Sequence, residues 1–264
     1  MERWTEVDRT KDPTHFVRYL DSVSALDATA QYKRRSFRLL EPRDGDRFLE
    51  VGCGNGDDAR ELAQLVAPSG GVTAIDVSQT MVDEAARRGT EGVDFALGDA
   101  HELRYADASF DGVRVDRTLQ HVADPAKAMT EMARVLKPGR RLVAAEPDWD
   151  TLLLAATDTE LTRRVLAHKT DQDHRNGTIG RRLPGLMVDA GLRPVVTEAT
   201  ALFLTDLKVA MVMAGLRESA LSAARARVIT NAEATEWLAD LERQGQRGAM
   251  LLTITVITVA AEKP

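Results

Sequence analysis

Three glycines at alternate positions, in the run Glu50-Val51-Gly52-Cys53-Gly54-Asn55-Gly56-Asp57-Asp58, constrain this chain more than any other feature. The apolar stretch at 48–52 reads as a strand, and helical periodicity begins at 57. Glycines at such a joint permit a tight turn and let backbone approach a ligand closely. A helix opening directly after a parallel strand aims its free N–H groups into the crevice at the carboxyl end of the sheet.

The surrounding pattern is that of an α/β protein with a mostly parallel sheet. Strands are expected at 48–52, 72–76, 93–99, 110–116 and 141–147, with helices at 57–66, 79–88 and 124–135. The last of these helices has Asp124 as N-cap and Pro125 at its first position. Residues 148–182 interrupt the alternation and look helical in part; a helix at 184–190, stopped by Gly191, then leads to a strand at 193–204. A second helical insertion covers 206–244, with Thr230 and Glu233 forming a capping box ahead of 234–241. The run 250–261, rich in Thr, Ile and Val, has the length of a buried strand rather than a membrane span. Residues 1–46 read as a helical cap, with Ala25, Ala28, Tyr32, Ser36 and Leu39 on one face and Lys33, Arg34, Arg35 and Arg38 pointing largely elsewhere. The expectation is one domain over 1–264: cap 1–46, core 47–147, lid insertions 148–182 and 206–244, and a final strand.

Composition narrows the partners. With 264 residues and a net charge of −6, the chain lacks the basic excess expected of a protein whose main partner is nucleic acid. The single cysteine, Cys53, excludes an intrachain disulfide and makes a cytoplasmic location the default expectation. The first thirteen residues lack the apolar core of a secretory signal. His101, His121, His168 and His174 form no close ligand pair in sequence, so no metal is expected.

The glycine loop also discriminates between ligands. A dinucleotide fingerprint would place its third glycine at position 57, where this chain has Asp57. Asp57 and Asp58 sit at the helix start, where they would repel a pyrophosphate, although both also suit a helix N-terminus for its own sake. A ligand without phosphates fits better, and S-adenosylmethionine is one. Asp76, at the end of the second strand and twenty residues after Gly56, can accept from two ribose hydroxyls or cap the helix opening at Ser78. In Gly98-Asp99-Ala100-His101, Asp99 can hold the adenine amine with Val77 and Met81 against the ring faces, or simply form a turn.

These residues, with Leu136-Lys137-Pro138-Gly139 before a strand, resemble class I S-adenosylmethionine-dependent methyltransferases, notably the ubiquinone/menaquinone C-methyltransferase branch. The resemblance covers 47–147 and implies a Rossmann-like seven-stranded sheet of order 3-2-1-4-5-7-6 with its last strand antiparallel. It implies cofactor contacts from Glu50, Gly52, Gly54, Asp76, Val77, Met81, Gly98, Asp99, Ala100, Asp116 and Arg117. Arg140 departs from the pattern, standing where a second glycine is common, and is expected to alter only a surface turn.

Methyl transfer is an in-line displacement at a methyl group that the cofactor supplies ready-made, so the protein mainly aligns the acceptor. His121, after the fourth strand, is the first candidate for a base or for orienting the acceptor, with structural packing as the alternative. Trp149 is a candidate aromatic wall or lid-core residue, and Tyr19 a candidate to close over the site. Tyr32 reads as core; His174, in the polar run 171–180, as a substrate contact or part of a solvated loop; and Cys53 as a small residue filling the turn. The expected partner is a small-molecule methyl acceptor, with O, N or C as the methylated atom and monomer or homodimer both open. A cofactor-binding protein without transferase activity, acting as a partner or in a cofactor-assisted rearrangement, is the alternative reading.

Overall fold

The computed structural model describes residues 4–10, 12–24 and 26–264, so Ala25 of the expected helical face and residues 1–3 and 11 of the N-terminal stretch lie outside the described residues. A 3₁₀ segment, Trp4–Arg9, precedes helices α1 (Thr14–Ser24) and α2 (Asp27–Leu39). The core then alternates β1 (Arg47–Val51), α3 (Asp57–Val66), β2 (Gly71–Asp76), α4 (Gln79–Arg88), β3 (Val93–Leu97), β4 (Phe110–Asp116), α5 (Pro125–Val135) and β5 (Leu136–Leu154). Helix α6 (Thr159–His168), a π-helical turn at Lys169–Asp173, α7 (Ile179–Asp189) and β6 (Arg193–Leu204) follow. The chain closes with α8 (Leu207–Met213), α9 (Leu216–Arg225), α10 (Asn231–Gln246) and β7 (Leu252–Glu262).

The strands form one sheet of order β3-β2-β1-β4-β5-β7-β6, with β7 antiparallel to both neighbours. This is the expected Rossmann-like topology. The interior strand β1 is buried at Phe48–Val51, as a strand covered on both faces must be. On one face, α5 and α7 pack through Met129, Met132, Leu183 and Met187, all fully buried. The other face carries α2 and α3 through Phe37 and Leu62, while the lid helices build a separate apolar cluster around Trp237, Leu216 and Leu241.

Three elements differ from expectation. Helix α7 begins at Ile179, not 184, with Pro184 inside it. The ring removes one backbone donor, but Ile179, Leu183 and Met187 are fully buried on one face, and that packing outweighs the local preference. Helix α10 runs the full Asn231–Gln246 behind its capping box. Strand β5 continues through Trp149 to Leu154, well past 147. Its pairing with β7 jumps from Asp148↔Thr255 to Leu153↔Thr253, so residues 149–152 form an outsized bulge. Bulges re-aim side chains at sheet ends, and this one carries Trp149 out of register.

Candidate functional site

The glycine turn is built under steric necessity. Gly52, Gly54 and Gly56 have φ of 77°, 52° and 78°. A Cβ on Gly52 would sit 2.1 Å from Thr118 Oγ1, and one on Gly54 would sit 2.8 Å from Leu20 Cδ1. The turn is pinned to β2, where Gly52 N and Cys53 N donate to Ile75 O at 2.8 and 2.9 Å. Asp76 braces it further: its Oδ2 accepts from Gly54 N and its Oδ1 from Ser78 N, each at 2.9 Å. Each oxygen keeps a lone pair for another donor. Burial pushes this carboxyl up, against those two hydrogen bonds. Cys53 is buried in the turn and its thiol is pushed well up by burial, consistent with a space-filling residue rather than a nucleophile.

Behind the turn lies a buried charge cluster. The Arg114 guanidinium is fully buried; it bonds Glu50, donates at 3.0 Å to both Asp58 and Asp116, and reaches Ser36 at 3.0 Å. From α2, Lys33 donates to Asp58 at 2.8 Å, and the Tyr32 hydroxyl donates to Asp116 at 3.2 Å. Lys33 therefore does not point away from the site as its helical position suggests. Burial pushes Glu50 up to about 7 against the attraction of Arg114, while Lys33 and Arg114 overcome burial to hold Asp58 well below the usual carboxylate range. Asp57 pairs instead with Arg60. The two aspartates at the start of α3 are thus charge-matched. What opposes a pyrophosphate there is committed hydrogen bonding rather than uncompensated negative charge. Glu50 Oε2 remains buried without a partner.

At the rim, Asp99 accepts from the His101 backbone at 2.9 Å and meets its ring Nδ1 at 2.6 Å. His101 Nε2 accepts from Asp124 N at 3.1 Å, which ties the Asp99 turn to the start of α5 and fixes the ring's tautomer. These bonds lower the Asp99 carboxyl despite partial burial. Gly98 and Ala100 flank it on the cavity wall; Val77 is half exposed there, and Met81 is buried against Val7 and Phe16. Cys53 and the N-terminal residues Trp4, Phe16 and Leu20 complete this end.

The loop after β4 forms the opposite wall. Arg117 holds φ of 52°, and its Nε is buried without a partner. A non-glycine residue in that region is strained, which is typical of functional loops. Glu146 organises the loop: its carboxylate accepts from Thr118 N at 2.8 Å, Leu119 N at 2.6 Å and Gln120 N at 3.4 Å. Burial nevertheless pushes it up to about 8. The Trp149 indole donates to Gln120 Oε1 at 2.8 Å, and Gln120 Nε2 donates to Arg117 O at 3.0 Å. His121 stacks on Trp4, with centroids 5.8 Å apart. Burial, aided by the Arg117 charge, lowers the His121 imidazole to about 3. A neutral ring at physiological pH suits orienting or packing against an acceptor better than taking its proton. Tyr19 lines the cavity, but its hydroxyl is committed to Met213 O at 3.4 Å, linking α1 to the lid. His174 stacks on Trp149 at 4.1 Å with 12° between planes, so it belongs to the wall and not to a solvated loop.

Most of these groups line one cavity of about 1390 Å³, whereas Tyr32, Arg114 and Glu146 are not part of its lining. It runs from the glycine turn to an apolar end at Leu152, Leu202, Leu204, Met213, Leu252 and Ile254. Drug-sized ligands occupy pockets of about 300–1,000 Å³. The volume therefore exceeds what one ligand needs. Every candidate site residue named from the sequence contributes to its lining or bonds to a residue that does, Tyr32 through Asp116, Gly56 through Cys53 and Asp57 through Asn55. The roles of four residues escaped the sequence reading, although Glu146 stands in the run 146–149 that leaves the fifth strand at the rim. Asp8 accepts from Gln79 N and Thr80 N at 2.9 and 3.1 Å, Arg114 and Glu146 act from within strands, and Lys169 lies in the π-turn. Arg140 also does more than alter a surface turn, since it binds Asp46 and donates to Asp111 O at 2.6 Å. No helix among the described residues is long and apolar enough to cross a membrane.

Similarity to known proteins follows the same outline. A family model described as a methyltransferase domain matches residues 42–188. A 37.1 kDa protein from transposon TN4556 of Streptomyces fradiae is 42% identical over 250 residues, covering 93% of this chain and 71% of that one. Demethylmenaquinone methyltransferase of Staphylococcus aureus is 36% identical over 135 residues, 50% of this chain, which spans 56% of that relative's length. Among solved structures, the [4+2]-cyclase SpnF superposes with a TM-score of 0.60 at 22% identity, covering 99% of this chain and 96% of that one. Geranyl diphosphate methyltransferase in complex with S-adenosylmethionine does so with 0.58 at 16%, covering 98% and 94%. Sheet order, glycine turn and family match agree, and the chain belongs to the class I S-adenosylmethionine-dependent methyltransferases.

Proposed function

We propose that the protein transfers a methyl group to a small organic molecule held in the apolar end of the cavity. The observation that carries this reading is the single cavity of about 1390 Å³, which is large enough for a cofactor and a second ligand together. Residues of the N-terminal and lid helices, among them Phe16, Tyr19, Met213 and Arg217, line it opposite the sheet. The residues present fit the cofactor: Glu50 Oε2 is a buried acceptor without a donor, Arg117 Nε a buried donor without an acceptor, and Gly52 and Gly54 form a cradle that any Cβ would fill.

In this assignment Glu50 and the Gly52–Gly54 backbone hold the amino-acid end, with Arg117 facing its carboxylate. Asp76 accepts from the ribose hydroxyls, and Val77, Met81, Gly98, Asp99 and Ala100 enclose the adenine, while Asp116 steadies the cluster through Tyr32 and Arg114. The cofactor supplies a methyl group on a positively charged sulfur. The chain's own contribution is alignment and exclusion of water, worth roughly 7–11 kcal/mol of barrier when the acceptor is well placed. Trp4, Tyr19 and the neutral His121 close the space over the acceptor, and Trp149 and His174 form its aromatic wall.

The test is calorimetric titration with S-adenosylhomocysteine, with NADH as the comparison ligand. Tight binding of the first alone, weakened by about tenfold or more in Asp76→Ala as befits loss of charge-assisted hydrogen bonds, supports the reading. Preference for NADH overturns it. Binding without labelled product from any fraction of a cell extract would favour a cofactor-binding protein without transferase activity.

A further inference from the structure

Lys169 is the buried cation that the cofactor assignment leaves unexplained. Its side chain is 1% exposed, yet it makes no hydrogen bond or ion pair with any described residue. Its ammonium lies 4.6 Å from the centroid of the Trp149 ring, and it lines the cavity. A buried ammonium held only by an aromatic face is costly unless a ligand completes its hydrogen bonding. Burial pushes it down to about 8, against the nearby charges of Asp173 and Glu218.

The local backbone points the same way. Lys169–Asp173 is a π-helical turn, a feature that recurs at functional sites. This turn brings Lys169, Asp173 and His174 to the cavity wall together. His174 Nε2 is likewise buried without a partner, while its ring stacks on the same Trp149. Asp173 Oδ1 accepts from Ser222 at 2.9 Å, whereas its Oδ2 is buried without a hydrogen-bond partner and supplies part of the negative field felt by Lys169. Around this polar spot the wall is aliphatic: Leu152 and the ends of β6 and β7 at Leu202, Leu204, Leu252 and Ile254. All of it comes from the β5 bulge, the lid and the last two strands.

Resting on the methyltransferase reading above, we infer that Lys169 and His174 form an anchoring subsite for an anionic oxygen on an otherwise apolar methyl acceptor. The group is a carboxylate, phenolate or enolate: Lys169 donates to it, His174 offers a second polar contact, and Trp149 with the aliphatic wall holds the carbon skeleton. Neutral apolar molecules would leave the ammonium unpartnered, and cationic ones would be repelled.

The experiment uses octanoate, 1-octanol and octylamine, whose flexible chains can adapt to the lobe. Each is titrated calorimetrically into the full chain saturated with S-adenosylhomocysteine, and again into the ligand-free protein. Octanoate is expected to bind about tenfold or more tightly than octanol, the scale of a charge-assisted hydrogen bond, with no binding of octylamine. Lys169→Met should erase the preference and Lys169→Arg retain it, both leaving affinity for S-adenosylhomocysteine unchanged, which also certifies folding. Equal affinities for octanoate and octanol, an unchanged preference in Lys169→Met, or no octanoate binding in either titration overturns the inference. Loss of S-adenosylhomocysteine binding by the wild type would instead overturn the methyltransferase reading, and the ligand-free titration still decides the role of Lys169.

Discussion

Across 70 residues of sequence, the Ser78 hydroxyl donates to Asp8 Oδ1 at 2.6 Å. Asp8 also accepts from Gln79 N and Thr80 N, so a residue of the 3₁₀ segment caps α4 just beyond Asp76. These bonds lower the Asp8 carboxyl despite its partial burial. Cap removal typically costs about 0.5–2 kcal/mol. Asp8→Ala should therefore speed limited proteolysis within the first 24 residues and weaken S-adenosylhomocysteine binding by roughly tenfold or less. An unchanged cleavage rate would show that the cap does not hold the segment down.

Arg114 has no exposed surface and serves three carboxylates at once. Removing one member of a buried ion cluster leaves the others uncompensated, at a cost of about 3–5 kcal/mol. Arg114→Met should lower the urea midpoint accordingly. Adding Glu50→Gln should recover part of the loss, because it removes one of the stranded charges. Urea unfolding of both variants checks this, and equal stability of wild type and Arg114→Met would refute it.

Glu146 sets a pH dependence of stability. Its folded-state value of about 8 lies above its unfolded value of 4.5, so the folded protein binds the proton more tightly. The stabilising contribution is complete below 4.5 and is lost as pH rises through about 8. Thermal midpoints of the wild type should carry a component that falls over this window, and Glu146→Gln should lack it. Identical slopes for the two proteins would show that Glu146 does not titrate there.

His121, lowered to about 3, should show no titration of its Cε1 proton shift between pH 5 and 8, a window about two units above that value. Assignment by His121→Asn identifies the signal in the NMR spectrum. A midpoint near 6.5 would restore His121 as a candidate proton acceptor.

The glycine-turn half of the cavity was legible because its signals are local. Gly52, Gly54 and Gly56 mark one turn, Asp76 ends a strand that periodicity identifies, and Asp99 follows two residues after the end of the next. Longer-range features were not. Nothing near Asp8 announces a partner at Ser78, and nothing in the apolar pattern of 141–154 reveals the bulge that re-aims Trp149. His121 has the right place in sequence, but its basicity depends on Arg117 and on burial, which only the folded chain supplies. Lys169 opens a π-turn and His174 follows its end, and the turn's i→i+5 spacing matches no pattern sought in helices or strands.

The same cavity is assembled from stretches of chain that can change independently. Leu202, Leu204, Leu252 and Ile254 lie beyond residue 188, where the match to the family ends, whereas the glycine turn, Asp76 and Asp99 lie inside it. A substitution at Leu204 or Ile254 reshapes one end without entering the sterically closed turn at Gly52. Gln120 is the exception, since it bonds Trp149 on one side and the Arg117 carbonyl on the other. On the proposed reading, a new acceptor preference would be acquired along the β6–β7 wall at little risk to cofactor affinity, whereas a change routed through Gln120 would alter both together.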